Sequence, residues 1–423
     1  MAALALAFAA CSNNDDDFAQ QPTAQPANGE ITITATLDAN DGASNRALSV
    51  DGSNIASTWE TTDEFAILYN NGTEDTKSIA TVDKIDGTTV TITFTIPASL
   101  ASNTACQIVY PASAAKADNS GADVATALAT QVGTIGNCPE VRVGTATIDK
   151  DNHNLTSVTK LVAQNAIFKF TLQDLSTAAK SATEFKVSDN SGNVITTVTP
   201  GSASGELYVA LPVMVAGTYW FNATIGSKPY IAKATTAAAT VAGKYYQTTV
   251  KMATIGDVIL SDGKFAARSS TGTKRAMIAY LGSETGVAGY THGLALALSD
   301  VSANQLSWDN TYANNAGKTA AEWCSDWNTT KTITGGTWML PSKDQWNKMI
   351  NACKNVLGTN NDYRDLRDGF NGISGASNLQ SAYYWSSTEV NSDNAWDCNF
   401  LNGNWESGYK DYGSPWVRAC LAF

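Results

Sequence analysis

The chain has 423 residues, 43% hydrophobic and 16% charged, a composition that builds packed cores and excludes a disordered polyelectrolyte. Its 39 acidic side chains outnumber 27 basic ones, and the formal net charge of −12 argues against nucleic acid, which needs a basic footprint. No run of 18 apolar residues occurs, so no segment reads as a membrane-spanning helix.

In chain order, residues 1–10 are apolar, with small side chains just before Cys11, and Ser12-Asn-Asn-Asp-Asp-Asp17 follows. This resembles the end of a bacterial lipoprotein signal in which Cys11 is lipidated, and the acidic run resembles the export signal of Bacteroidetes lipoproteins. A basic leader is missing, so the full chain is expected to start upstream. Polar, Pro-containing residues 18–29 read as a tether, completing a signal-and-tether segment over 1–29. The implied location is the outer membrane or cell surface, with membrane contact only through the lipid.

Residues 30–252 are strand-like. Residues 31–37, 65–69, 90–96, 107–110, 166–172, 207–211 and 219–225 alternate β-branched or aromatic side chains with Thr and Asn. Asp41-Gly42, Asp51-Gly52, Asn71-Gly72, Asp86-Gly87 and Ser191-Gly192 mark turns. Many short strands without helices predict two β-sandwiches, over 30–150 and 151–252, with the polar run at 149–154 as their junction. Arg46-Ala-Leu-Ser49, Trp59-Glu-Thr-Thr-Asp63-Glu64 with residues 65–69, and Tyr110-Pro111 together resemble the fimbrillin-like pilins of Bacteroidales. That family places Gly before the Asp, where this chain has Thr62. The resemblance implies transthyretin-like sandwiches, proteolytic processing at Arg46, and pairing with other pilin subunits by donor-strand exchange. An ordinary loop arginine is the competing reading of Arg46.

From residue 253 the texture changes. Residues 256–263 read as strand and turn. Thr319-Ala-Ala-Glu322 and Ser342-Lys-Asp-Gln345 are capping boxes, predicting helices over 319–328 and 342–357. Ala320, Trp323, Cys324 and Trp327 fall on one stripe, and Trp346, Met349, Ile350, Cys353 and Leu357 on the other; both read as core. Setting Cys11 aside leaves six cysteines, an even number that permits disulfides. Cys106 with Cys138 is one candidate pair, whereas Cys324 and Cys353 fit buried free thiols equally well. With no CxxC pair, no gathered calcium ligands and only two histidines, no metal or cofactor is expected, and His292 reads as structural.

The last forty residues are the most informative. Trp385, Trp396, Trp405 and Trp416 recur at spacings of 11, 9 and 11, with Asn, Ser, Asp, Gly and Tyr between them, the residues that paratopes use. Alternation places Trp396, Cys398 and Phe400 on one face and Asp397, Asn399 and Leu401 on the other, and Asn402-Gly403 is a hairpin turn. An antiparallel sheet with ordinary solvated loops satisfies the same alternation. Trp338-Met-Leu-Pro-Ser342 with Gln345-Trp346, Tyr384-Trp-Ser-Ser-Thr-Glu389, Ala395-Trp396 and Val417-Arg418 resemble the C-type-lectin-fold variable domain of diversity-generating retroelements. That fold is close to formylglycine-generating enzymes, whose late cysteine pair Cys398 and Cys420 do not match.

The resemblance covers 253–423 and implies mutagenesis of Asn codons at adenines, which cannot yield Glu, Lys, Gln, Met or Trp. Glu389, Trp396, Trp405, Glu406, Lys410 and Trp416 would then be framework. Val390, Asn391, Asp393, Asn394, Asp397, Asn399, Leu401, Asn402, Asn404, Ser407, Tyr409, Asp411, Tyr412 and Ser414 would form the ligand-binding surface. The expected protein is mostly β, two pilin-like sandwiches and an α+β lectin-like domain. It is expected to be a non-enzymatic surface adhesin, at the tip of a fimbria in one version, for a protein or glycan ligand on host, phage or another microbe. A fimbrial shaft or anchor subunit is the alternative, and a formylglycine-type oxidase a third. The domain at 253–423 is expected to be released by proteolysis at 252–255.

Overall fold

The computed structural model describes residues 29–38, 49–51, 54–56, 59–87, 89–354 and 356–423. Cys11, residues 18–28 of the tether and Arg46 lie outside them. The protein is mostly β. Its first sheet is antiparallel, in the order Glu30–Asp38, Thr89–Pro97, Asp75–Asp86, Glu64–Asn70, Thr104–Tyr110, Arg142–Asp149 and Asn154–Thr156. Strict alternation drives it: Val90, Ile92, Phe94 and Ile96 point inward while the intervening threonines face outward. The sheet folds over until its end strands meet, and the Thr34 N–H donates to the His153 carbonyl at 3.1 Å. The enclosed core gathers Trp59, Phe65, Tyr69, Tyr110 and the aliphatic side chains of every long strand.

The second sheet runs Glu206–Pro212, Asn165–Asp174, Tyr245–Thr254, Lys228–Thr236, Gly217–Ile225, Glu184–Ser188, Val194–Val198 and Thr130–Gln131. Two of its pairings are parallel: Asn165–Asp174 with Tyr245–Thr254, and Val194–Val198 with Thr130–Gln131. Residues 149–154 form the turn joining Arg142–Asp149 to Asn154–Thr156 within the first sheet, so they are no junction. Val162–Ala163 still pairs with the first sheet, whereas Thr130–Gln131 has crossed to the second. The two sheets share an apolar seam of Ala66, Leu68, Val109, Leu128, Val141, Ile167 and Ala210. Within it, Gln131 donates to the carbonyls of Leu128 and Ala210 and accepts from the Ala210 N–H.

The C-terminal part is built on a six-stranded sheet in the order Phe265–Ala266, Val258–Leu260, Lys274–Leu281, Gly293–Ala297, Cys420–Ala422 and Thr337–Met339. Its strands are apolar on both faces because both are covered. Ile278, Ala295 and Leu421 face Ala320, Cys324 and Trp327, while Met277, Leu296 and Cys420 face Trp346, Met349 and Cys353. The capping boxes form as read, with Thr319 and Ser342 each accepting from the backbone three residues on. The helices are shorter than expected. The first ends at Ser325 and restarts as Trp327–Thr330, the second spans Lys343–Cys353, and Tyr363–Arg367 is an additional helix.

Strand Tyr245–Thr254 runs straight through the expected boundary. Ala253 pairs with Ile231 of the second sheet and packs with Ile259 and Ile278 of the third. Met252, Ala253 and Ile255 are buried, so proteolytic release at 252–255 is not expected. Trp220 and Lys233 of the second sheet reach the third as well, Lys233 lying over Phe265 and Trp220 stacking at 3.6 Å on His292, just before strand Gly293–Ala297. The candidate pair Cys106 and Cys138 is also corrected. Both are free thiols, one in the first core and the other in the seam.

Candidate functional site

After the helices the chain forms a three-stranded antiparallel meander, Tyr383–Glu389, Asn394–Asn399 and Trp405–Tyr409. Asparagines shape both turns. The Asn391 side chain accepts from the Asp393 and Asn394 N–H groups at 2.9 and 2.8 Å, and Asn402 accepts from the Asn404 N–H at 2.9 Å. Gly403 supplies the positive φ, 82°, that the second turn requires.

One face of the meander is fastened to the interior. Tyr384, Cys398 and Phe400 pack on Trp346. Indole N–H groups act as rivets: Trp346 donates to the Trp385 carbonyl, Trp385 to that of Leu306, and Trp308 to that of Ser386. The Lys343 ammonium lies 3.3 Å from the Trp396 ring centroid and 5.2 Å from that of Trp405. Lys410 donates to Glu389 at 2.7 Å and to the Ser392 carbonyl at 2.9 Å, and it sits over Trp308. Glu389, Trp396, Trp405 and Lys410 thus hold the loops from beneath.

The expected binding positions divide. Val390, Asn391, Asp393, Leu401, Asn402, Asn404, Ser407, Tyr409, Asp411 and Tyr412 are exposed, and Asn394 and Ser414 are half-buried. Asp397 and Asn399 are buried, which corrects their placement on an open surface. They belong to the central strand. The longer side chains of Trp385 and Glu406 stand directly across from Asp397, and that of Tyr383 from Asn399. Trp396, expected in the core, is half-buried. The positions do not form one patch either. Leu401, Asn402 and Asn404 occupy the turn at one end of the hairpin, whereas residues 390–394 and 409–412 meet at the other, where the Lys410 N–H donates to the Asp393 carbonyl. The five residues of Trp405–Tyr409 separate these ends by roughly 15 Å. At the second end Val390, Tyr409 and Tyr412 are 39%, 67% and 60% exposed. Tyr312, which sequence reasoning did not single out, packs its ring on Gly413 beside them.

The polar face around Asp397 has its own chemistry. The Glu406 carboxylate accepts from Asn399 Nδ2 at 3.1 Å and lies 3.4 Å from the Tyr383 hydroxyl. Asp397 Oδ1 is buried without a hydrogen-bond partner among the described residues. Burial, with Glu406 as a second cause, pushes the Asp397 carboxyl up to about 7. A side chain at position 408 would stand 2.6 Å from Asp397 Oδ2, so glycine is needed there. Glu389, expected as framework, is not the acidic neighbour of Asp397. Glu389 instead pairs with Lys410, and the register about Asn402-Gly403 was the signal that identifies Glu406.

Elsewhere, burial pushes Cys106, Cys138 and Cys398 up to about 12 and raises Cys324, Cys353 and Cys420 as well, an environment that opposes thiolate chemistry. His292 is lowered to about 4 by burial and by nearby Lys233.

No family model and no curated protein matches the chain. Among solved structures, it is similar to a fimbrial protein from Bacteroides ovatus at 12% identity over 94% of this chain and 100% of that one, with a TM-score of 0.30. A C-terminally truncated tip fimbrial protein from Porphyromonas gingivalis shares 11% identity over 53% of this chain and 99% of that one, TM-score 0.25. A fimbrial assembly protein from Parabacteroides distasonis shares 10% over 53% and 94%, TM-score 0.28.

Proposed function

We propose that the chain is a cell-surface adhesin that binds its ligand through the loop end of the C-terminal meander, at residues 390–394 and 407–414. The observation that carries this reading is the decoupling of contact surface from framework. Tyr409 and Tyr412 are largely exposed and, among the described residues, make no side-chain hydrogen bond, yet Lys410 between them is tied to Glu389, Ser392 and Trp308. Rigid aromatic side chains on a fixed backbone give contact area at low entropic cost. The resemblance to retroelement-diversified lectin-fold domains fits this division, since the residues that hold the loops are those its codon chemistry would leave unchanged. The ligand is a protein or glycan on another cell or on a phage.

The test compares adhesion of the full chain, displayed on cells or beads, with that of a Tyr409→Ala/Tyr412→Ala variant, alongside thermal melts. Adhesion lost at unchanged melting temperature is the expected result. Equal adhesion by the variant removes the reading. A template repeat near the gene, matching codons 390–414, would add independent support.

A shaft-subunit reading draws on a different observation. Strand Glu30–Asp38 lies at the end of the first sheet with Ile33, Ala35 and Leu37 in its core, so removing it would open a groove that a strand from another subunit could fill. Cleavage at Arg46 would be the step that frees it. Trypsin-type digestion followed by assembly in electron micrographs tests this version.

A further inference from the structure

A cavity of about 630 Å³ opens between residues 268–275, the end of strand Gly293–Ala297, helix Trp327–Thr330 and the loop at 372–375. Four cations line it: Arg268, Lys274, Arg275 and Lys331. No carboxylate does, in a chain where acids outnumber bases 39 to 27. Arg268 is already committed, donating to the backbone carbonyls of Gly256, Gly369 and Asn371. The other three differ. Among the described residues, none of Lys274, Arg275 or Lys331 has an acidic partner, and Arg275 Nε is buried without any hydrogen-bond acceptor. The Lys331 ammonium rests 3.4 Å from the Trp327 ring centroid. Burial, and secondarily the neighbouring Arg275, hold it below the ordinary lysine range.

Like charges gathered in a recess, one with an unsatisfied buried donor, cost free energy unless something negative enters. A guanidinium offers a planar fork that suits the paired oxygens of carboxylate, sulfate or phosphate, and lysines add charge without demanding geometry. The rest of the lining is rich in hydroxyls, from Ser299, Ser374 and the serines and threonines of 269–273. Those groups both donate and accept, as recognition of a polyhydroxylated body requires. The volume falls within the usual range for small-molecule sites.

We propose that this cavity binds a small hydroxyl-rich molecule through an oxyanion, with Arg275 and Lys331 holding the charged group and Lys274 at its side. The chemistry is that of an acidic or sulfated sugar unit. None of residues 383–416 lines the cavity, so the site stands independently of the loop face proposed above.

The experiment titrates the full chain calorimetrically with glucuronate, glucose 6-sulfate, glucose 6-phosphate, inorganic sulfate, inorganic phosphate and glucose at low salt. At least one charged hexose should bind more tightly than the corresponding free ion, and glucose should not bind. Arg275→Gln should weaken that binding at least about tenfold, the scale of a lost bidentate ionic contact. Lys274→Gln and Lys331→Gln supply the same test should Arg275→Gln not fold, each expected to weaken binding by about threefold or more. Melting curves of every variant separate lost binding from lost structure. Binding by inorganic ions alone, equal binding of glucose, or affinity unchanged across the folded variants overturns the proposal.

Discussion

A buried aspartate sits just before a strand of the first sheet and another within the last sheet, and their surroundings are opposite. Asp63 accepts from the Glu60 N–H at 2.9 Å and from the Tyr110 hydroxyl at 3.1 Å, among the rings of Trp59, Phe65 and Tyr110. Asp397 is also buried, but one of its oxygens has no hydrogen-bond partner among the described residues and Glu406 faces it across the strand pair. A satisfied buried carboxylate helps specify a core, whereas an unsatisfied one beside a like charge destabilises the fold. The two aspartates therefore differ in sign: Asp63 supports its core, whereas Asp397 carries a cost that its protein surroundings do not offset.

The strongest challenge to this comparison comes from the aromatic frames, which should be equally structural. Trp59→Ala and Trp385→Ala each remove a buried indole and should each cost roughly 3–5 kcal/mol, read from chemical denaturation of the full chain. A small loss at Trp385 alone would mean that the meander is not fastened as its hydrogen bonds indicate.

Much of this frame was legible from the sequence. Capping boxes at Thr319 and Ser342 are local signals, since cap and partner lie three residues apart, and both formed. The seven strands read from alternation are all present because each puts at least one apolar face in a core, and residues 65–69 put both. Strand Asp75–Asp86 escaped notice because only Ala80 and Val82 of its twelve residues are buried. The junctions at 150 and 252 were misplaced for a different reason. Parallel pairing of Asn165–Asp174 with Tyr245–Thr254, and of Thr130–Gln131 with Val194–Val198, joins distant segments and leaves no local signature. In the site, alternation gave the correct parity for Asp397 but not its burial, which depends on the height of cross-strand neighbours. Arg275 and Lys331 meet only through the fold, so their cavity had no sequence signal at all.

The aspartates themselves give the next test, and their signs should differ. Asp63→Asn weakens two hydrogen bonds and should destabilise by about 1–3 kcal/mol. For Asp397 the folded-state pKa is raised, so its contribution is fully present below about pH 4 and is lost as pH rises through about 7. Asp397→Asn removes the charge and should therefore raise the melting temperature at pH 8 while changing it little at pH 4. His292 works the other way, its lowered pKa costing stability as pH falls from about 6.5 toward 4, which makes the comparison of variant with wild type necessary at each pH. A lower melting temperature for Asp397→Asn at pH 8 would place Asp397 with Asp63 and end the distinction.

Trp396 gives a smaller effect. It is half-buried and held chiefly by Lys343, so Trp396→Ala should cost about 1–2 kcal/mol, well below Trp385→Ala. Lys343→Met should reproduce part of that loss, and a double-variant cycle would isolate the ring–ammonium contribution.

The smallest effects belong to the loop end, and smallness is what the adhesin reading demands. A residue used for contact must be replaceable without cost to the fold, so its side chain should touch little of the frame. Tyr409 and Tyr412 meet that condition, being mostly exposed and without side-chain hydrogen bonds among the described residues, although Tyr409 stands cross-strand from Asn394. Each change to alanine should alter stability by less than about 1 kcal/mol. Gly413→Ala provides the internal control. Its new methyl would strike the Tyr312 ring, so it should shift the loop and cost more than either tyrosine although it adds only one carbon. If Tyr409→Ala or Tyr412→Ala proves more damaging than Gly413→Ala, those rings belong to the framework and the separation of contact from fold fails at its most exposed point.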